Sequence, residues 1–234
     1  MLRIDSLALG IHHTQEEFHK KVAAKLGCRE RDLQEIHVVR RSIDARKKPD
    51  IFYSYTLDVK VLEEEKIIKR HRGTGIHKAK PLVYHPGGPG QRPLKRPPVI
   101  AGFGPGGIFA GLLLARGGFR PVILEQGEDV DSRSKTVETF WEKGILREDS
   151  NVSFGEGGAG TFSDGKLNTL VKDPAGRASF VLRTLVEFGA PEDILYEQKP
   201  HIGTDLLKDV VKNIRKEIIR LGGEIRFETK LAEV

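Results

Sequence analysis

One cysteine, Cys28, stands in 234 residues. A single thiol excludes an internal disulfide and a C-x-x-C redox pair. A chain built without disulfides belongs in a reducing compartment, so the cytoplasm is the expected location. Cys28 reads as a small, partly buried residue rather than a reactive thiol. A long apolar span is missing too. The uncharged stretch Pro98 to Ala115 holds five glycines and two prolines, a composition that argues against a membrane helix. The amino terminus, MLRIDSLALGIHH, is short and carries charges, unlike a signal peptide. There is no internal repeat. Histidine nearly disappears after the first 97 residues, leaving His201. A lone histidine is more often structural than catalytic, and no other residue stands out as a general acid or base.

The positive signal lies between Pro98 and Glu125 (PPVIAGFGPGGIFAGLLLARGGFRPVILE, from Pro97). Val99 to Ala101 form a short apolar strand. Gly102, Gly104 and Gly107 follow in the spacing G-x-G-x-x-G. An apolar helix carries Leu112 to Leu114, and Val122 to Leu124 form a second buried strand that ends in Glu125. The glycine spacing alone is weak, but strands on both sides and the terminal acid make it a dinucleotide-binding signature. Gly102 permits the tight turn. Gly104 lets the backbone approach a pyrophosphate, and Gly107 and Gly111 let the helix lie against the sheet. Pro105 and Gly106 open the helix, where a missing N–H costs little. The free N–H groups and the helix dipole there favour an anion. Glu125 can accept from ribose hydroxyls and would repel a 2′-phosphate, which disfavours NADP. The next convincing strand is EIRFET, Glu224 to Thr229, nearly a hundred residues on. So long an insertion suits FAD better than NAD.

The chain divides near residue 90. HPGGPGQRPLKRPP, His85 to Pro98, has the composition of a connector. Residues 1–97 carry 21 Lys+Arg against 12 Asp+Glu, a balance of +9, and the remainder carries 18 against 21, a balance of −3. The expected organisation is a small basic α+β domain at 1–88, a Pro/Gly/basic linker at 89–97, and a partial Rossmann-type α/β domain with a parallel sheet at 98–234. In the first domain, Leu2, Ile4, Leu7 and Leu9 predict a strand. Thr14 and Glu17 predict a capping box opening a helix to about Leu26, with Phe18, Val22 and Leu26 on one face. Ile36 to Val39 and Ile51 to Val61 predict two more strands, the latter with Tyr53, Tyr55, Leu57, Val59 and Val61 on one face. The order βαββ suggests a ferredoxin-like or related sandwich. Arg40, Arg41, Arg46, Lys47 and Lys48 are expected between strands, and Lys69, Arg70, His71 and Arg72 later. So basic a module could bind nucleic acid, with Tyr53 and Tyr55 as stacking surfaces. The tyrosines share a face with Leu57 and Val59, however, and charge runs are usually solvated, so core packing and solvation are the expected roles. An anion-binding face that receives an acidic substrate or packs on the second domain is a further reading.

A second glycine block follows. Gly160 to Lys166 nearly matches G-x-x-x-x-G-K-[ST], but Leu167 replaces the hydroxyl that holds Mg²⁺, Asp164 would meet phosphates, and no strand leads in, so an ATPase loop is rejected. Taken together, RRSIDARKK (Arg40 to Lys48), the GFGPGG turn, LEQGEDVDSR (Leu124 to Arg133), SNVSFGEGGAGTFSDGKL (Ser150 to Leu167) and KPHIGTD (Lys199 to Asp205) resemble the amino-terminal half of uncharacterised FAD-dependent dehydrogenases of the glutathione-reductase-like flavoprotein class. The resemblance covers nearly the whole chain. It implies an oxidoreductase that binds the ADP part of FAD, with NAD(P)H as an electron donor of the full-length protein and a small-molecule substrate. It places Phe154 to Lys166 beside the flavin, where Gly155, Gly157, Gly158 and Gly160 would allow close backbone approach. Ser163, Asp164 and Lys166 then become candidate polar contacts, and Arg133 a candidate phosphate contact. The family's later flavin-contacting segment and inserted domain are expected beyond Val234. A non-catalytic nucleotide- or nucleic-acid-binding module is the competing class. Thr204 and Asp205 are expected to cap a helix carrying Leu207, Val210, Val211, Ile214, Ile218 and Leu221, and Phe140 and Trp141 to pack a helix.

Overall fold

The computed structural model describes residues 1–71, 73–88, 90–167 and 172–233. Of the positions singled out above, Arg72, Pro89, Val234 and the side chain of Lys47 lie outside the described residues. The chain forms two compact units. The first comprises Met1–Val83, Lys172–Gly176 and Asp193–Pro200; the second comprises Tyr84–Val171, Arg177–Glu192 and His201–Val234.

The first unit holds a four-stranded antiparallel sheet. Its elements are β1 (Leu2–Gly10), α1 (Gln15–Leu26), β2 (Leu33–Lys47), β3 (Asp50–Val61), α2 (Glu64–Arg70) and β4 (Ile76–Lys78). The strand order is β2-β3-β1-β4, so the expected βαββ string is completed by a second helix and an edge strand into the split βαββαβ arrangement. That last pair is short and polar, which hid it from periodicity. In β1, Leu2 and Ile4 are buried at even positions and Leu7 and Leu9 at odd ones. The register explains this: Ile4 faces Leu57 and Leu7 faces Tyr55, so a bulge takes up one extra residue and keeps all four on the core side. Helix α1 has the expected Thr14–Glu17 capping box and closes on Gly27 in the left-handed region. Phe18, Val22 and Leu26 are buried against Leu57 and Val59 in one apolar cluster.

Strand β2 is far longer than Ile36 to Val39. Arg40, Arg41 and Arg46 lie within it rather than between strands, because an antiparallel ladder with β3 runs on through polar residues to Lys47 and Asp50. Tyr55 packs in the core, as expected from its face. Segment 193–200, placed by sequence with the second domain, belongs to the first unit. The Arg41 amide donates to the Tyr196 carbonyl at 2.7 Å and the Gln198 amide donates to the Arg41 carbonyl at 3.1 Å. Such long-range backbone pairing leaves no sequence signature.

The second unit is built on a three-stranded parallel sheet, order β5-β6-β7, with helices. Its elements are β5 (Val99–Ala101), α3 (Pro105–Arg116), β6 (Val122–Leu124), α4 (Val130–Lys143), α5 (Arg177–Glu187), α6 (Thr204–Arg220) and β7 (Glu224–Arg226). β7 is half as long as EIRFET suggested. Val210, Val211, Ile214 and Ile218 of α6 are buried. Its N-cap is Gly203 with no side-chain cap bond, so Thr204 and Asp205 are first-turn residues and not caps. Trp141 is 64% exposed and touches the Phe162 ring edge-on at 6.4 Å. Among the described residues no helix is long and apolar enough to cross a membrane.

Candidate functional site

The turn from β5 to α3 is shaped by two glycines with different jobs. Gly102 has φ +88°, a left-handed conformation that disfavours any side chain. At Gly107 a Cβ would collide with the Gly102 carbonyl oxygen, so this position is closed by the turn itself. Gly111 plays the expected packing role: a Cβ there would press on Ile123 of β6 and Ile218 of α6. Gly104 is different. It is the N-cap of α3, with no side-chain cap, Pro105 beginning the helix and no acid in the first turn. A Cβ on Gly104 would find its nearest atom, Gly158 Cα, at 3.8 Å, and one on Gly106 would find nothing within 4 Å. The first-turn N–H groups of a helix lack intrahelical partners, and here neither a side-chain cap nor an acid answers them.

Glu125 follows β6 and is 5% exposed. Its two oxygens accept the Phe103 amide at 2.6 Å and the Gly127 amide at 2.9 Å. The carboxylate therefore holds the glycine turn in place, a duty that sequence reasoning missed. Each oxygen keeps a second lone-pair direction. The Phe103 carbonyl in turn accepts the Gly157 amide at 2.9 Å, so the two glycine loops are stitched together through Phe103.

The second glycine block departs from its expected use. A Cβ on Gly155 would strike the Arg133 side chain, one on Gly157 would strike Thr161, and one on Gly158 would sit 3.1 Å from Pro105 Cδ. These three glycines make room for the protein's own groups, not for a ligand. Gly160 alone has nothing within 4 Å. Arg133 is likewise reassigned. It is fully buried and donates to the carbonyls of Asn151 (2.8 Å), Val152 (2.9 Å), Glu156 (2.6 Å) and Gly158 (3.0 Å). It pins the loop from within and has no face for a phosphate. Burial lowers its pKa to about 10, opposed by the charges of Glu125 and Glu156.

Ser163, Asp164 and Lys166 are exposed. Ser163 donates to the Gly160 carbonyl at 2.8 Å, and Lys166 pairs with Asp164 at 2.7 Å. That ion pair holds Asp164 below the usual carboxylate range and lifts Lys166. His201 contacts the Asp164 carbonyl at 2.6 Å, which gives it the structural role expected of a lone histidine. Sequence reasoning also passed over Glu156. It is fully buried, accepts the Val130 amide at 2.7 Å and pairs with Arg215 at 3.2 Å. Its Oε1 is buried without a hydrogen-bond partner among the described residues, and burial pushes its pKa up. Its place in a glycine run gave no periodic signal. Among the described residues no group of His, Cys, Asp and Glu could hold a metal ion.

Residues 1–60 match the family model of a domain of unknown function, DUF8436. A curated relative from Clostridium beijerinckii, named as an uncharacterized protein, is 47% identical over 233 residues. The match covers 100% of this chain and 43% of the relative, so the chain spans less than half the length of that relative.

Proposed function

We propose that the second unit binds the ADP part of FAD, as the amino-terminal portion of an FAD-dependent oxidoreductase. The observation that carries this reading is the start of α3, where Gly104 and Gly106 are left unfilled by protein while Gly107 and Gly111 are filled. The pyrophosphate would lie on the first-turn N–H groups of α3. The ribose would reach the remaining lone pairs of Glu125, the charge that disfavours a 2′-phosphate. The order β5-β6-β7 with its α3 crossover agrees with the first half of a dinucleotide-binding sheet, in which ligands lie outside the carboxyl ends of the strands. Gly160, Ser163, Asp164 and Lys166 remain open to a cofactor; Arg133, Gly155, Gly157 and Gly158 act through the loop they hold. Bound flavin would supply hydride or electron transfer, and the protein binding and orientation. NAD(P)H as donor and a small-molecule substrate belong to this reading for the longer protein.

A nucleic-acid role for the first unit gains less support. Arg3, Arg41, Arg46 and Lys60 are ion-paired with Asp58, Glu197, Asp44 and Glu35, which spends charge that phosphates would need. The test is titration of the protein with FAD, NAD and NADP. The expected ranking puts FAD first and NADP last. Tighter binding of NAD than FAD would overturn the cofactor assignment, and no binding of any of them would overturn the site.

A further inference from the structure

We propose that Glu156 is a positioning residue whose proton is linked to nucleotide binding: the turn at the start of α3 holds a dinucleotide more tightly when the Glu156 carboxyl is neutral. This link rests on the nucleotide reading above and supplies a regulation of that same site. Glu156 is fully buried, so it acts through the loop that carries it and not by touching the ligand.

One oxygen of the carboxyl is well served and the other is not. Oε2 accepts the Val130 amide of α4 at 2.7 Å and lies 3.2 Å from Nη1 of Arg215 on α6. Oε1 is buried with no hydrogen-bond partner among the described residues. An ionised carboxylate can only accept, so part of its charge would rest on an oxygen that no donor answers, a costly state in a buried position. The surroundings do not restore the balance. Asp129 and Asp131 face the carboxyl from α4 and oppose a further negative charge. Arg215 is shared with Asp129 at 4.0 Å, and Lys212 of α6 is held by Asp131 and Asp209. The charge of Arg133 is divided between Glu125 and Glu156. Burial outweighs these cations and pushes the Glu156 carboxyl up.

The same residue borders the turn. One residue on, the Gly157 amide donates to the carbonyl of Phe103, between Gly102 and Gly104, at 2.9 Å. Two residues on, Gly158 Cα is the atom nearest the space that a Gly104 side chain would fill, at 3.8 Å. A loop shift that brings water to an ionised Glu156 therefore moves the wall of the pyrophosphate position. Charge acts in the same direction. FAD brings its two phosphates to the start of α3, and like charges favour the neutral form of a nearby carboxyl. By linkage, a ligand that strengthens the hold on a proton is itself held more strongly by the protonated protein. FAD binding should take up proton on Glu156, and FAD affinity should fall as pH rises through the Glu156 titration.

The competing explanation is that Glu156 and Arg215 only fasten the loop to α6. Titrating the 234-residue chain with FAD at several pH values, from about 5 to about 8, separates the two. Wild-type affinity is expected to fall about fivefold across that range, the lower end of typical coupling between sites. Glu156→Gln, which keeps an acceptor for the Val130 amide and cannot ionise, is expected to flatten the profile. A second measurement needs no variant: the Glu156 side-chain carboxyl carbon, followed by NMR, is expected to titrate at higher pH with saturating FAD than without it. An unchanged pH profile in a folded Glu156→Gln protein, affinity that rises with pH, or a Glu156 titration that FAD leaves in place would each overturn the link while leaving the nucleotide site standing. Failure of FAD to bind at any pH would remove the nucleotide site and the link with it.

Discussion

Gly104 and Gly107 stand three residues apart and carry opposite expectations. At Gly104, φ is −74° and the protein leaves room for a side chain; at Gly107 the Gly102 carbonyl does not. Gly104→Val should therefore melt near the wild-type temperature and lose FAD binding. Gly107→Ala should lose stability, by about 1–3 kcal/mol for an overpacked position. Thermal melts with flavin titration of both variants check this; unchanged FAD affinity in a folded Gly104→Val protein removes the pyrophosphate from this turn. Glu156 gives a pH prediction. Burial raises its folded pKa above the unfolded value, so the folded state binds the extra proton. Its favourable contribution is fully present below the ordinary carboxylate pKa and is lost as pH rises through the raised folded value. Glu156→Gln keeps an acceptor for the Val130 amide. Its melting temperature relative to wild type should rise from acid to neutral pH, and a relative fall over that range would contradict the assigned direction.

Among the elements, bulges matter more than strand length, including one in β1 and one in β2, where Val38 faces Leu57 and Arg41 faces Tyr55. The β1 bulge reconciles two apolar pairs of opposite parity, Leu2/Ile4 and Leu7/Leu9. Deleting Ser6, which is exposed, would bring both pairs to one parity and leave a regular strand in the same register. Deleting Ser54 from β3 would instead turn Tyr53 or Tyr55 out of the core, because a one-residue slip reverses every side chain beyond it. The Ser6 deletion is expected to unfold cooperatively with a modest loss of melting temperature, and the Ser54 deletion to lose cooperative unfolding. Comparable losses in the two would mean that the bulge has a role beyond phasing. Loop packing is the counterpart in the second unit. Phe103, Glu125 and Arg133 hold the two glycine loops through five backbone carbonyls and three backbone amides. This rigid support, rather than direct contact, is what Arg133 contributes to the turn at α3.

For the whole molecule, β5 is an edge of its sheet and Val99 on it is 60% exposed. Exposed edges offer unpaired backbone groups to another strand. The chain also covers 43% of the relative's length. A chain extended to that length is expected to hold flavin more tightly than the 234-residue chain, which should bind FAD weakly and oxidise little or no NAD(P)H. Flavin content after purification and NAD(P)H-dependent turnover measure this. Stoichiometric flavin and steady turnover in the shorter chain would show that no further segment is needed.

Features legible in the residue order share one property: each is a local physical constraint. The Thr14 cap, the apolar face of α6, the strand–turn–helix–strand of Val99 to Leu124 and the left-handed turn at Gly102 all act over a few residues, so periodicity and spacing reveal them. The α2–β4 pair and the full length of β2 were not legible, because cross-strand pairing carried polar residues that have no period. The duties of Arg133, Glu125 and Gly155 to Gly158 lay further out of reach. A glycine that approaches a ligand and one that approaches an arginine are the same letter, and a buried arginine reads like a solvated one until its four carbonyls converge. Arg41 makes the point most sharply: a single bulged residue, invisible in composition, decides which face of β2 its charge takes, over the Tyr53 ring and paired with Glu197.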